Sequence, residues 1–542
     1  MRIQFGKSLV LGALAVSTAC AGAQSAVGQS GGFCDKVKAL TADPTVAAAH
    51  WGVSVTTLDG TVLCSVNEAQ LFRPASNNKL FTAAAALALL GPEKRFTTSV
   101  VADGELAGGV LKGNLKLVGG GDANFGSHEV PYVEPTKPAK PAPPEPATIA
   151  DIEELADQVV AKGVKSITGD VVGDDSFFAW EPYPVGWGID DLLPGYGAPV
   201  SALTIHDSLI LVDVAPGAKV GATQMDLRPD VPYYLMVDET ATVAKSATQT
   251  RARIRFDRAV GSREVRLTGE IPLDAPTAKT EIAIQDPAEY AAIALKDALE
   301  RRGVKVGGTT SAVHGISTGS TPNISADYAL AMVKKQLAVP ATNACGGQVL
   351  AASVPHAGTT LATHASPQLA DDVIFTMKDS QNLHAEILMR NLGVAFACDY
   401  RGSGGLAIVK AYAAQAGISP ADLVLYDGSG LSGHDLVTPR SLTQLLVYAT
   451  KQKWSETFKA SLPVGGVDGT LANRFLAPGS TLAGKVLAKT GTLGESRDLS
   501  GYLTSASGAT VVFSVLADNH LPTGGADRVA MDKIVEAIAA GN

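Results

Sequence analysis

Between Val53 and Leu90 the chain sets out a hairpin and then, with little linker, a helix. "VSVTTLDGTVLCSVN" (Val53 to Asn67) is two apolar-alternating runs around Asp59-Gly60, the pattern of a tight β-hairpin. In "PASNNKLFTAAAALALLGPEKRF" (Pro74 to Phe96), Ala and Leu dominate from Leu80 to Leu90 with high helix propensity and stop at Gly91-Pro92. Matching elements return only near the other end. "LADDVIFTMKDSQNLHAEILMRNLG" has helical spacing of Val373, Met377, Leu383 and Ile387, and "GGLAIVKAYAAQAG" is a further helix. "KVLAKTGTL", "DLSGYLTS" and "TVVFSVLAD" read as strands, the last two a hairpin over Ser507 and Gly508, and "DRVAMDKIVEAIAA" reads as the closing helix. From about Val100 to Val313 the chain is instead a series of short strand-like runs punctuated by Gly and Asp. This arrangement predicts one discontinuous α/β domain, residues 24–98 and 359–542, interrupted by a β-rich inserted region at 99–358 made of two subdomains.

Two stretches of the insertion carry no regular pattern. Residues 130–148, including "VPYVEPTKPAKPAPPEPAT", are proline-rich and read as an extended solvated spacer. From about Gly315 to Gly358 there is little periodicity, and no function is assigned to that stretch.

Composition narrows the class of partner. A 542-residue chain, 46% hydrophobic and 18% charged, is long enough for about three to four folded domains. Its net charge of −9 and pI near 5.5 offer no basic stripe, which sets nucleic acid aside. Arg2 and Lys7, the apolar "SLVLGALAVSTA" and the small residues after it form an export signal, with cleavage after Ala23. Lipidation at Cys20 ranks second, because Ser17 rather than Leu lies three residues before it. No later run is long enough to span a bilayer, so membrane association is expected to be peripheral or through a lipidated Cys20. Four cysteines remain after cleavage. Their local spacing suggests disulfides Cys34–Cys64 and Cys345–Cys398. A metal site at these cysteines is disfavoured, since no Cys-x-x-Cys or clustered His accompanies them. His384-Ala385-Glu386 matches part of a deaminase signature but lacks the downstream cysteine pair, and it reads as incidental.

The first turn of the Leu80 helix raises a chemical question. Ser76 can be read as a helix N-cap with Lys79 solvated beside it. A lysine there, however, faces the positive end of the helix dipole, where acidic residues are favoured. At i, i+3 the hydroxyl and amine share one face. A buried lysine is readily driven to its neutral form, so Lys79 could take the Ser76 proton and make a nucleophile, with backbone N–H groups nearby to stabilise an oxyanion. Two later motifs supply partners: Ser380-Gln381-Asn382 at a helix junction, and Lys489-Thr490-Gly491 on a strand, where the glycine would let a bound peptide approach and pair along the edge. Each is weak alone, but their order and element context match the Ser-x-x-Lys, Ser-x-Asn, Lys-Thr-Gly set of penicillin-binding proteins and class A β-lactamases.

With these motifs, "GNLKLVGGGDANF", "GYGAPVSAL", "YDGSGLS", "LPVGGVDGTL" and "KTGTL...LSGYL" make the chain resemble, from about Ala47 onward, the low-molecular-mass penicillin-binding proteins that are D-alanyl-D-alanine carboxypeptidases and endopeptidases, in the branch with a large insertion between the first two motifs. The resemblance implies an α/β (α+β) serine transpeptidase/β-lactamase-like fold and a periplasmic enzyme acting on peptidoglycan stem peptides and acylated by β-lactam antibiotics. It implies Ser76 as nucleophile, Lys79 as general base, Ser380 relaying the leaving-group proton and Asn382 holding the substrate amide. Lys489, with Thr490 and Thr492 around Gly491, would bind the terminal carboxylate, and the N–H groups of Ser76 and Thr492 would form the oxyanion hole. No metal or organic cofactor is called for. Trp187, Asp190 and Asp191 are candidates for binding the stem-peptide side chain, or Asp190 and Asp191 are simply surface residues beside a turn. Competing readings are a β-lactamase, whose glutamate-activated water has no evident counterpart here, an esterase on the same scaffold, and a non-catalytic penicillin-binding sensor.

Overall fold

Strand Thr510–Asp518 shows how the two ends of the chain meet. It pairs antiparallel with Ser496–Thr504 on one side and with His50–Thr57 on the other. Val486–Leu493 and Val62–Val66 complete a five-stranded sheet as its two edges. Both faces of the central strands are buried, so "TVVFSVLAD" is apolar at nearly every position. Val511, Phe513, Val515 and Ala517 pack with helices Gly31–Thr41 and Ala526–Gly541. Val512 and Leu516 face the opposite way into a helical layer. The two expected hairpins, at Asp59-Gly60 and at Ser507-Gly508, are both present, and a disulfide joins Cys34 to Cys64.

The computed structural model describes residues 31–126, 128, 130–133, 149–245, 247–316, 324–339, 358–521 and 524–542. The expected export signal with Cys20, most of the proline-rich stretch, and Cys345 of the second expected disulfide lie outside the described residues.

Helix Lys79–Leu89 runs through the middle of the helical layer, with ten of its eleven residues buried. Its alanines let neighbouring helices approach closely, which suits a helix with no exposed face. The helical stretch from Leu369 divides at the expected junction into Leu369–Lys378 and Asn382–Leu392, with Ser380 at φ +65° between them. That left-handed residue turns Ser380 out of the helix line and places it and Asn382 at a corner.

The insertion has its own core. Strands Thr97–Ala107 and Val110–Val118 form a hairpin, and Val171–Ala179 and Thr310–Gly315 add to it in parallel. Helices Ala150–Ala161 and Pro287–Arg301 cover this sheet, burying Leu155, Val159, Leu295 and Leu299 against Val100, Leu115 and Val171. The helices are needed because parallel strands require crossovers. Two three-stranded sheets lie beyond it, Leu209–Ala215 with Gln224–Arg228 and Ala278–Ala283, and Leu235–Val243 with Arg253–Asp257 and Glu264–Pro272.

Two features depart from the sequence reading. Residues Ala326–Ala338, inside the stretch that lacks evident periodicity, form a helix capped by Ser325, with Ala329 and Val333 buried against the helical layer. Its apolar face is only a few small residues wide, so the pattern is faint until the neighbouring helix Gly402–Gln415 supplies the other wall. Strand Thr359–Ala365, expected to open the C-terminal part, pairs antiparallel with Thr97–Ala107 and so closes the insertion's sheet.

Candidate active site

Pro74 to Lys79 pass through a tight 3-10 turn, Ala75–Asn78, that runs straight into helix Lys79–Leu89. Ala75 has φ +41°, a conformation that costs an alanine energy and is held here by packing. Ser76 makes no N-cap hydrogen bond, so the helix-cap reading of this serine falls away. Its hydroxyl is half-buried and accepts from Lys79 Nζ at 3.0 Å.

Lys79 is fully buried. Its Nζ also donates to Asn382 Oδ1 at 2.6 Å and to the Ser429 carbonyl at 2.8 Å. These two oxygens can only accept. A neutral amine therefore spends its two N–H bonds on them and leaves its lone pair on the Ser76 side. Burial pulls the Lys79 ammonium down to about 7, against the opposing charges of Asp427 and Glu386. Glu386 is itself pushed up to about 8, by burial first and by Asp427 second.

The loop Tyr426–Ser432 forms the back wall of this pocket. Asp427 accepts from the N–H groups of Gly430 and Ser432 and from the Trp187 indole at 2.9 Å. Glu386 Oε1 accepts from the Gly428 and Ser429 N–H groups. Gly430 lies at φ +83° with the Ala75 carbonyl where a Cβ would stand, so only glycine lets this loop close on the serine turn. Glu386 thus has a structural part to play, holding the loop that holds Lys79.

On the opposite side Lys489 is equally buried and donates to Ser380 Oγ at 2.8 Å and to the Thr490 carbonyl at 3.0 Å. Burial, and then the proximity of Lys79, holds its ammonium well below the usual lysine range. Strand Val486–Leu493 is an edge of its sheet, as a peptide-pairing strand must be. The reason for glycine at 491 differs from the sequence expectation. A Cβ there would meet the Pro74 carbonyl at 2.8 Å and Asn77 at 2.9 Å, so the residue is small to let the strand press against the serine turn. Asn77, in the amide orientation that satisfies its neighbours, donates to Ser500 Oγ and accepts from the Gly491 N–H across that contact. Thr490 shares a hydrogen bond with Thr470, and Thr492 is exposed. The loop Leu462–Leu471 bridges the remaining gap: Asp468 pairs with buried Lys378 two residues before Ser380, and Thr470 reaches the Lys489 strand.

These groups open on a cleft of about 540 Å³ lined by Ser76, Ser380, Asn382 and Thr492, with Asp190, Asp191 and Tyr196 on its rim. Asn382 Nδ2 donates to the Tyr196 carbonyl at 2.9 Å, which fixes the rim to the floor. Asp191 accepts from the Gly188 N–H, whereas exposed Asp190 has no side-chain partner among the described residues. Trp187 does not line the cleft; its indole turns to Asp427 behind Lys79.

Beneath the Ser380 corner lies a network no sequence motif announces. Asp207 accepts from Gln381 Nε2 at 2.9 Å and contacts His128 Nε2 at 2.9 Å and His384 Nε2 at 3.0 Å, and His384 Nδ1 meets Asp372 at 2.6 Å. Although burial opposes its charge, His384 is pushed up to about 10 by Asp372 and Asp207. Asp207 sits in three successive positive-φ residues, His206 to Ser208. It is the insertion's contact with the middle residue of Ser380-Gln381-Asn382.

Residues 34–321 and 312–540 match the family model described as D-Ala-D-Ala carboxypeptidase 3 (S13). The chain belongs to this S13 family. It is 32% identical over 517 residues to the D-alanyl-D-alanine carboxypeptidase of an Actinomadura species, covering 93% of this chain and 84% of that one. To the D-alanyl-D-alanine carboxypeptidase DacB of Haemophilus influenzae it is 26% identical over 83% of this chain and 81% of the relative. The crystal structure of penicillin binding protein 4 from H. influenzae superposes with a TM-score of 0.71 at 22% identity, covering 93% of this chain and 98% of that one. The S13 member described here therefore has the mixed α/β fold of penicillin binding protein 4, with its inserted region. The H. influenzae protein has also been solved in complex with a β-lactam, and that structure superposes with a TM-score of 0.65.

Proposed function

We propose that this chain is a serine-type D-Ala-D-Ala carboxypeptidase that cuts D-alanyl bonds in peptidoglycan stem peptides through an acyl-enzyme on Ser76. The observation that carries the reading is the buried Lys79 amine 3.0 Å from Ser76 Oγ, with its other two partners obligate acceptors. Neutral Lys79 takes the Ser76 proton as Oγ attacks the carbonyl of the penultimate D-alanine. The N–H groups of Ser76 and Thr492 receive the oxyanion. Ser380, held by Lys489, passes a proton to the departing D-alanine nitrogen, and Asn382 holds the substrate amide. The terminal carboxylate binds Lys489, Thr490 and Thr492, and its charge offsets the cost of an ammonium buried beside Lys79. Water then releases the acyl group.

A β-lactam presents the same carbonyl and carboxylate and acylates Ser76 in place of the peptide. The acyl-enzyme is long-lived, because no glutamate is among the described residues lining the cleft and Glu386 faces loop amides behind Lys79. This separates the reading from a β-lactamase. Asp190, unpartnered on the rim, pairs with the free amino group of a diamino acid in the stem peptide. The elements that carry Ser76, Ser380 and Lys489 supply the floor, and the inserted region, whose sheet takes in Thr359–Ala365, supplies the rim. With the export signal, this reading makes the enzyme periplasmic. Among the described residues no helix is long and apolar enough to cross a membrane. We infer that any membrane attachment is peripheral or through a lipidated Cys20.

Intact-mass spectrometry of the mature protein after incubation with benzylpenicillin tests the reading. One penicilloyl adduct, mapped to Ser76 and released slowly, is expected. No adduct, or rapid turnover of the drug, would discard it.

A further inference from the structure

At the neck of the insertion three segments bring together acidic and imidazole groups that leave a gap between them. Asp122 ends the Gly119-Gly120-Gly121 turn after strand Val110–Val118; Asp151 and Glu154 share one face of the first turns of helix Ala150–Ala161; His364 lies near the end of strand Thr359–Ala365. His364 Nε2 stands 3.9 Å from Asp122 Oδ2 and 3.8 Å from Asp151 Oδ2. One ligand atom each of Asp151, Glu154 and His364 lie within 4.8 Å of one another.

Two of these atoms are orphaned. The Asp122 side chain is 2% exposed, yet its Oδ2 has no hydrogen-bond partner, and neither does His364 Nε2. Buried polar atoms are nearly always partnered, and among the described residues no protein group stands within hydrogen-bond reach of either atom, so both are available as ligands. The separations fit a metal ion better than a direct bond. They are too long for a hydrogen bond, whereas two ligands of a tetrahedral ion with bonds of about 2.1 Å stand about 3.4 Å apart. For His364 a few tenths of an ångström of closure on Asp122 and on Asp151 would suffice. The Asp207, His128 and His384 cluster is different: its atoms already meet at 2.9 and 3.0 Å and satisfy one another.

We propose that Asp122, Asp151, Glu154 and His364 hold a divalent cation of the Zn²⁺ or Mn²⁺ class. One imidazole and a set of carboxylates is the donor chemistry these ions accept. Existing bonds orient two of these carboxylates: Asp122 accepts from the Asn124 N–H at 3.0 Å through Oδ1, leaving Oδ2 toward His364, and Asp151 Oδ2 accepts from the Gly126 N–H at 2.6 Å. Glu154 also accepts from Gln158 at 3.2 Å, and it is the one exposed ligand, on the side from which an ion would enter. The site ties the strand that leads out of the insertion to a turn and a helix near its start. Its role is to lock the neck, since the Gly121 carbonyl beside Asp122 accepts from Asn391 of the helix that begins at Asn382.

The test uses the mature protein, stripped with a chelator, exposed to Zn²⁺, desalted and assayed for zinc by plasma mass spectrometry. About one Zn²⁺ per chain is expected, lost in Asp122→Asn and in His364→Ala and kept in His128→Ala. No retained zinc, zinc kept by both of the first two variants, or zinc lost in His128→Ala would overturn the proposal. Circular dichroism checks that each variant is folded. Should the neck variants fail to fold, the Co²⁺-loaded wild-type protein decides by NMR. One paramagnetically shifted imidazole N–H supports ligation by His364 alone, whereas two or none refutes it.

Discussion

The floor and the rim of the cleft are built on opposite terms. On the floor, Lys79 and Lys489 are both fully buried, each held to fixed acceptors, and both are driven toward their neutral forms by loss of water. On the rim, Asp190 and Tyr196 are exposed and come from short 3-10 turns of the insertion. Charge on the floor is expensive to maintain, and that expense makes a lysine usable as a base near neutral pH. Charge on the rim is screened by solvent and can only bias which peptide settles. Chemistry and selectivity are therefore separable by mutation.

Ser76→Ala should make the largest difference, abolishing covalent labelling by penicillin while the circular dichroism spectrum is kept; surviving label would remove Ser76 as nucleophile. Lys79→Ala should slow acylation about 100- to 10,000-fold. The wild-type acylation rate should also climb as pH rises through about 7, because only the deprotonated amine can accept the serine proton, and this inflection should vanish in the variant. An unchanged inflection would assign the titration to another group. Gly491→Ala should destabilise the protein by about 1–3 kcal/mol in thermal or denaturant unfolding, since its methyl would press on Pro74 and Asn77. A neutral outcome would mean the strand yields.

Smaller effects discriminate floor from rim. Trp187→Phe removes a hydrogen bond to Asp427, a loss of about 1 kcal/mol or roughly fivefold, and should slow penicillin and peptide alike, as befits a residue acting behind Lys79. Asp190→Asn should raise KM for a peptide with a free side-chain amine by about 2- to 5-fold, the value of an exposed ion pair, and leave penicillin acylation untouched. If Asp190→Asn altered both, or Trp187→Phe altered only the peptide, the division would be wrong.

Much of this site is legible without coordinates because its residues lie in short motifs whose spacing is set by local geometry. Ser76 and Lys79 are one turn apart, Ser380 and Asn382 two residues apart, and Lys489 to Thr492 a strand segment. The supporting groups are not legible in this way. Asp427, Glu386 and Asp207 act on residues tens to hundreds of positions away, and nothing local marks them. Trp187 and Gly491 were visible as residues but their surroundings were not: the indole turns to Asp427, and the glycine faces the serine turn. Helix Ala326–Ala338 escaped for a similar reason, its buried face being narrow and its partner helix distant in sequence.

By itself, then, the sequence determined the local elements and the identity of the reacting groups, because helix propensity, strand alternation and motif spacing act over a few residues. It also set the order of the chain: a hairpin and helix, a long insertion, then helices and strands that complete the first sheet. Only the tertiary structure decided what those groups can do. Burial brings Lys79 down to about 7 against the charges of Asp427 and Glu386, and Asn382 and Ser429 fix where its amine points. Solvation and distance depend on what the rest of the chain packs around a residue, and that is fixed only when segments remote in sequence come together.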